Sequence, residues 1–280
     1  MWPHRDVLRR ISREVYKIKM PDPTGVIDFN CDMGESFGSY EMKFDREIIC
    51  YVSSINVATG FHAGDPNWMR ASVDLAAQHD VAVGAHPAYP DLVGFGRRDM
   101  TLSPAEVKNA VTYQIGALTA FTAHTGKRRL QHVKPHGAMY NKAVRDPAEA
   151  AAIIEAIREF DPELIHVVLA GSPWERLARE AGVPVAREAY SDRAITPEGA
   201  LVPRSQPGAV IHEPDEVVAR VLKIATEGRV VTVNGDEIPF EADTICLHGD
   251  NPGAVEIAAA VREALDSSGI AVKPMAQIVT

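Results

Sequence analysis

Residues 54–86 read SINVATGFHAGDPNWMRASVDLAAQHDVAVGAH, and one complete structural unit lies within them. Ser54–Thr59 is a short apolar run, Pro66–His79 has the spacing of a helix, and Val81–His86 is a second apolar run. A strand, a helix and a second strand in so short a span point to a parallel pairing of the two strands. The alternation continues on both sides. Further strands are expected at Val26–Asn30, Leu130–Lys134, Ile165–Ala170, Val185–Ala189 and Thr244–His248. Helices are expected at Ser103–Thr125, Asp146–Phe160, Pro173–Ala181, Glu213–Thr226 and Pro252–Ser267. Ser103-Pro104 with Glu106, and Asp146-Pro147 with Glu149, read as capping boxes with proline at the first helical position. Seven or eight such units with no linker, repeat or low-complexity tract favour a closed or nearly closed α/β barrel in a single domain. Arg229–Phe240, with Asn234-Gly235 at its centre, reads as a small β-hairpin insertion turning through a type I′ turn.

Residues 1–25 form an extension ahead of the barrel, which spans 26–280. Leu8, Ile11, Val15 and Ile18 among basic residues fit a short amphipathic helix ending at Pro21-Asp22-Pro23. It lacks the apolar core and cleavage site of a secretory signal, and no apolar run approaches membrane-span length. In 280 residues, 46% hydrophobic and 24% charged, intrinsic disorder is excluded as the main state. A net charge of −9 argues against non-specific nucleic-acid binding. Three scattered cysteines, Cys31, Cys50 and Cys246, supply neither a disulfide framework nor a CxxC zinc site, and point to the cytoplasm.

In parallel α/β folds the functional side chains gather at the carboxyl ends of the strands. Here those ends carry Asp28, Asn30, Asp32 and Glu35; Asn56 and His62; His86; Lys134, His136, Tyr140 and Asn141; Glu188, Asp192 and Arg193; and Cys246, His248 and Asp250. Of ten histidines, His62, His86, His136 and His248 follow apolar runs directly and stand beside Gly, Pro or Ala. One such histidine would be a packing residue; four point to an active site. His4, His79, His124, His132, His166 and His212 lack that setting and read as surface or structural. Carboxylates and neutral imidazoles suit general acid–base work, and equally a divalent metal, for which Asp32, His62 and His136 come from three strand ends. Lys134, Arg97 and Arg193 offer positive charge to a carboxylate or phosphoryl group.

Nucleophile and nucleotide motifs are missing. No GxxxxGK[ST] occurs, the string Gly34-Glu35-Ser36-Phe37-Gly38 is not followed by the helix that a nucleophile elbow needs, and the acids beside Cys31 raise rather than lower its thiol pKa. The glycine-rich stretch 91–99 reads as a lid over the rim, its glycines letting Arg97 swing inward.

The segments DFNCDMGESFG (28–38), NVATGFHAGDP (56–66), VGAHPAYPDLVGFGRR (83–98), VKPHGAMYN (133–141), EAYSDR (188–193), GALVPR (199–204) and CLHGDNPGAV (246–255) resemble the LamB/YcsF family, the A subunits of bacterial ATP-dependent 5-oxoprolinases. The resemblance runs from Val26 to about Met275. It departs at Thr59, where the family usually has cysteine, and at Tyr190-Ser191, where it has phenylalanine-alanine.

What the resemblance implies is an irregular (β/α)7 barrel of the glycoside hydrolase/deacetylase type. It also implies cleavage of 5-oxo-L-proline to L-glutamate, driven by ATP, together with the B and C subunits. The expected roles are Asp32 and His62 on the attacking water, His136 as acid, and Lys134 on the developing oxyanion or phosphoryl group. Arg193, held by Asp192, would grip the substrate carboxylate. Asn30, Glu35, His86, Arg97, Tyr140, His248 and Asp250 would complete the pocket. ATP would bind at a partner or a shared interface, and a homo-oligomer is compatible with the sequence. Two rival readings are a metal-dependent amide hydrolase or deacetylase acting without ATP, and a non-catalytic scaffold that delivers a small molecule.

Overall fold

The apolar runs become strands in the computed structural model, which describes residues 25–42, 44–124, 129–249 and 253–279. In chain order the strands are β1 (Val26–Met33), β2 (Ser54–Ala58), β3 (Ala82–His86), β4 (His132–Val133), β5 (Ile165–Leu169), β6 (Val185–Tyr190), β7 (Arg229–Val231), β8 (Glu237–Pro239), β9 (Thr244–Leu247) and β10 (Ala271–Val272). The helices are α1 (Asp45–Ile48), α2 (Pro66–His79), α3 (Pro104–His124), α4 (Gly137–Arg145), α5 (Pro147–Phe160), α6 (Pro173–Glu180), α7 (Pro214–Glu227) and α8 (Ala254–Ser267). Strands β1 to β6 pair in sequence, all parallel; β9 then pairs with β6 and with β1, closing a seven-stranded barrel. The fold is the irregular (β/α)7 barrel that the family resemblance implies, with the β7–β8 hairpin inserted before the closing strand.

Alternation along β1 sets the layers. Ile27, Phe29, Cys31 and Met33 belong to the apolar core beneath the helices, whereas Asp28, Asn30 and Asp32 are buried in a polar network. Asp28 accepts from the hydroxyls of Ser53, Ser54 and Thr244. Asn30 donates to Thr244 Oγ1 at 2.6 Å, and Asn56 donates to Asn30 at 2.7 Å and to Asp32 at 2.8 Å. Buried polar groups need partners of this kind to be tolerated. Gly84 belongs to the same device. A Cβ there would lie 2.0 Å from His132 Nε2, so glycine clears the path by which His132 reaches Asn56 Oδ1 at 2.7 Å.

Helix starts follow the sequence. Asp65 caps α2 by accepting from the amides of Asn67 and Trp68. Ser103 and Glu106 exchange the two bonds of a capping box. The second expected box is half formed. Asp146 caps α5, but Glu149 turns inward and accepts from Tyr89 at 2.6 Å. The hairpin turn also differs from expectation. Gly235 has φ +88° but Asn234 is not in the left-handed region, and Thr232 pairs with Asp236 across three residues. That is the three-residue loop with glycine at the bulge, not a type I′ turn. Helices α1 and α4 were not anticipated. The amphipathic segment Met1–Met20 lies outside the described residues, among which no helix is long and apolar enough to cross a membrane.

Candidate functional site

A cavity of about 350 Å³ opens at the carboxyl ends of the strands. Asp32, His86, Arg97, Lys134, His136, Tyr140, Arg193 and His248 line it, so eight of the expected site residues come together there. Asn30, Glu35, His62 and Asp192 stand behind that lining, and Asp250 lies outside the described residues.

Lys134, 1% exposed, is the electrostatic centre. The strand end β4 delivers its ammonium to Asp32 at 3.0 Å, Glu188 at 2.9 Å and Cys246 Sγ at 2.9 Å. Burial works against this charge, but Asp32, Cys246 and Glu188 outweigh it and hold the ammonium well above its ordinary range. Burial likewise pushes Asp32 up, yet His86 and Lys134 hold it well below the usual carboxylate range. Asp32 is therefore an anion at neutral pH. Burial raises the Cys246 thiol more than Lys134 lowers it, and burial with Asp32 raises Cys31, so neither is a nucleophile.

Three imidazoles stand beside this pair. His86 Nδ1 lies 2.6 Å from the Lys134 carbonyl, and its Nε2 lies 3.3 Å from Asp32 and 2.9 Å from His136 Nδ1. His136 Nε2 lies 2.9 Å from the Phe95 carbonyl. His62 Nε2 is 3.1 Å from Glu35, and its ring stacks on His136 with centroids 3.8 Å apart. Burial and the neighbouring histidines hold His62 and His136 well below the ordinary imidazole range, so both are neutral. Glu35, His62, His86 and His136 each bring one donor atom within 4.8 Å of the others, a set able to hold a metal ion. This set replaces the expected metal triad: Glu35 and His86 join, while Asp32 is engaged by Lys134.

Across the cavity, His248 is oriented by Asp192, 2.9 Å from its Nδ1, and stacks on Tyr190. The expected partnership of Asp192 with Arg193 is not what holds that arginine. The Arg193 guanidinium donates to the carbonyls of Val202 and Ala209 instead. Burial, with Glu188 and Tyr190 adding to it, pushes the Tyr140 phenol well above its usual range.

The stretch 91–99, expected as a lid, is hydrogen-bonded in place over the rim and brings Arg97 to the cavity. Gly96 donates to Asp91 O and accepts from the Ala138 amide, and Asp91 also holds Gly94 and Arg98. Gly96, at φ +63°, is there for contact: a Cβ would lie 2.7 Å from His62 Cβ and 2.8 Å from His136 Cδ2. Two parts of the site, the Glu188 and Cys246 contacts with Lys134, were unassigned in the sequence. Glu188 had a signal, since it precedes the lining residue Tyr190 by two and so shares its face of β6. The Phe95 carbonyl had none, because a backbone acceptor is invisible in side-chain identity.

Relatives align with this chain over most of its length. The 5-oxoprolinase A subunit of Syntrophobacter fumaroxidans is 54% identical over 89% of this chain and 98% of its own length. That of Pyrococcus furiosus is 52% identical over 90% and 99%. The crystal structure of the lactam utilization protein from Thermus thermophilus superposes with a TM-score of 0.84 at 51% identity, covering 89% of this chain and 99% of that one. The profile of the LamB/YcsF family matches residues 27–280. With the family model matching nearly the whole barrel and relatives above 50% identity aligned over almost all of their own length, the chain belongs to the LamB/YcsF family.

Proposed function

We propose that this chain is the lactam-opening A subunit of an ATP-dependent 5-oxoprolinase. The reaction consumes 5-oxo-L-proline, ATP and two waters, and yields L-glutamate, ADP and phosphate. One water opens the ring and the other is spent in cleaving the phosphoryl bond. The observation that supports the reading most is the agreement between relatives named for this activity, aligned over 98–99% of their own length, and a cavity whose lining suits amide hydrolysis.

An unstrained five-membered lactam is a resonance-stabilised amide, so its hydrolysis needs a driving reaction. Phosphorylation of the lactam oxygen makes the ring carbon electrophilic. Asp32, ionised and lining the cavity, takes the proton of the attacking water. Lys134 stabilises the charge that develops on the carbon's oxygen substituents. The leaving nitrogen needs a proton, and here the geometry redirects the expected role. Both nitrogens of His136 face Phe95 and His86, whereas His248 has only Nδ1 engaged by Asp192. His248 therefore serves as the proton donor and His136 as a framing residue. Arg97 and Arg193 supply positive charge for the substrate carboxylate or the phosphoryl group. A partner of the B or C type binds ATP, by itself or at its interface with this chain, because the chain carries no phosphate loop of the GxxxxGK[ST] type.

The reading is tested by placing Asp32→Asn in the complex assembled with the B and C subunits. Glutamate formation is expected to fall at least ~100-fold with the assembly intact; undiminished formation would refute the assignment. The ATP-independent amide hydrolase is the second reading, favoured by the histidine–glutamate cluster, and its mark is turnover by the isolated chain without nucleotide.

A further inference from the structure

We propose that Glu35, His62, His86 and His136 bind one divalent cation of the zinc–cobalt class, in a site prepared by two backbone carbonyls. This inference goes beyond the oxoprolinase reading and does not depend on it. It begins with the protons. A carbonyl oxygen only accepts, so the nitrogen facing it must carry hydrogen. His86 Nδ1, 2.6 Å from the Lys134 carbonyl, is therefore N–H, and so is His136 Nε2, 2.9 Å from the Phe95 carbonyl. Where each ring carries that one proton, the remaining nitrogens, His86 Nε2 and His136 Nδ1, offer their lone pairs to the same space, and they stand 2.9 Å apart.

Two lone pairs at that distance repel unless something positive lies between them. Their next neighbours make matters worse, because both are carboxylate oxygens. Glu35 Oε1 is 3.6 Å from His136 Nδ1, and Asp32 Oδ2 is 3.3 Å from His86 Nε2. Acceptors converge on acceptors. A proton shared by the two rings would satisfy the 2.9 Å contact between them but not the approach of Glu35 to His136 Nδ1 at 3.6 Å. A bound cation relieves all of it at once.

Spacing and chemistry agree with that solution. Ligands about 2.0–2.1 Å from a tetrahedral metal lie roughly 3.3 Å from one another. The separations here are 2.9 Å for His86–His136, 3.1 Å for His62–Glu35 and 3.6 Å for His136–Glu35. Three imidazoles with one carboxylate suit zinc, cobalt or nickel rather than the all-oxygen preference of magnesium or calcium. Metal-binding imidazoles characteristically donate their other N–H to a carbonyl, which fixes the ring. His86 and His136 both do so here. The Phe95 carbonyl is aimed by a backbone at φ +54°, one of only two non-glycine residues with positive φ among the described residues. Such a conformation costs on the order of 1–3 kcal/mol and persists where the surroundings impose it. A second cluster, Asp32, Cys246 and His248, has similar compactness. There the Lys134 ammonium already stands between Asp32 and Cys246, leaving no call for a metal.

Cobalt(II) alone is the probe. The full chain, stripped with chelator, is titrated while calorimetry gives stoichiometry and absorption reports the ligands. One equivalent is expected to bind, with visible d–d bands and no thiolate-to-cobalt charge-transfer band in the near ultraviolet. Cys246→Ser should leave that spectrum unchanged. Glu35→Gln and His86→Gln should each weaken binding by at least ~100-fold with circular dichroism unaltered, since even loss of an outer-shell partner costs ~10–100-fold. Folded wild-type protein that binds no cobalt would overturn the proposal and leave a shared proton as the link between the rings. A thiolate band would overturn it in favour of the second cluster. Wild-type affinity in both ligand variants would also overturn it, and if those variants fail to fold, the wild-type and Cys246→Ser spectra decide the matter.

Discussion

Lys134 concentrates the energetics of the site in one side chain. Its ammonium faces two carboxylates, so removing it leaves Asp32 and Glu188 buried with their principal counter-charge gone. Lys134→Met is expected to destabilise the protein by about 3–5 kcal/mol, the usual cost of breaking a buried ion pair. Denaturant unfolding at neutral pH measures it. Adding Glu188→Gln should recover part of the loss, because one uncompensated charge is removed; a strictly additive double variant would contradict the pairing. His248 and His136 provide a second comparison. If His248 delivers the proton, His248→Gln should lower kcat of the assembled enzyme by about 100-fold or more and leave KM nearly unchanged.

Most of the rim was legible residue by residue, because inward positions of parallel strands alternate and burying a polar group there is costly unless a site uses it. Asp32, His86, Lys134 and His136 all read correctly as lining on that ground. Their partners were less legible. That Asp192 meets His248 rather than Arg193 depends on two loops whose approach no local pattern encodes.

At the scale of elements, the loop 91–98 and helix α4 act together. Gly137, at φ +55°, opens α4, and a Cβ there would lie 2.5 Å from the Gly96 carbonyl. Gly96 in turn lies against His62 and His136. Gly96→Ala is expected to displace the loop and to reduce activity of the assembled enzyme at least ~10-fold, while the far-ultraviolet spectrum stays that of the wild type. Helix α2 allows a simpler test. Asp65 caps it and also accepts from the Gly38 amide at 3.0 Å, tying the β1–α1 loop to the helix. Asp65→Ala should cost about 1–2 kcal/mol in denaturant unfolding. The regular elements were plain in sequence because apolar runs and caps mark them. Helix α4 was not, since it starts directly after His136 with a glycine, a residue that ordinarily argues against a helix.

For the whole molecule, the burial of titratable groups inside the barrel makes stability depend on pH. Burial pushes His166 down to about 3, and it does the same to His132, with Lys134 and His86 adding to the shift. The unfolded chain protonates these rings near 6.5, so below that pH it binds more protons than the native state, and stability falls as pH falls. Each histidine should cost about 2 kcal/mol by pH 5. Asp28, pushed up to about 6 by burial, opposes them, because the native state holds its proton more tightly and gains about 1 kcal/mol on the same change. The balance is acid lability. His166 packs on Trp174, and neither of its ring nitrogens has a hydrogen-bond partner. His166→Phe should therefore shrink the fall in melting temperature between pH 7 and pH 5. An unchanged fall would mean that His166 is not the neutral buried group described.

The central proposal is that this barrel opens the lactam ring of 5-oxoproline and does so within an ATP-driven assembly. Glutamate released from 5-oxoproline is the readout, with the purified chain alone, with candidate B and C subunits, and with ATP present or withheld. Glutamate should appear only when the chain, both partners and ATP are combined. Glutamate formed by the partners and ATP without this chain would contradict the account, and so would its absence from a folded complex with all components present.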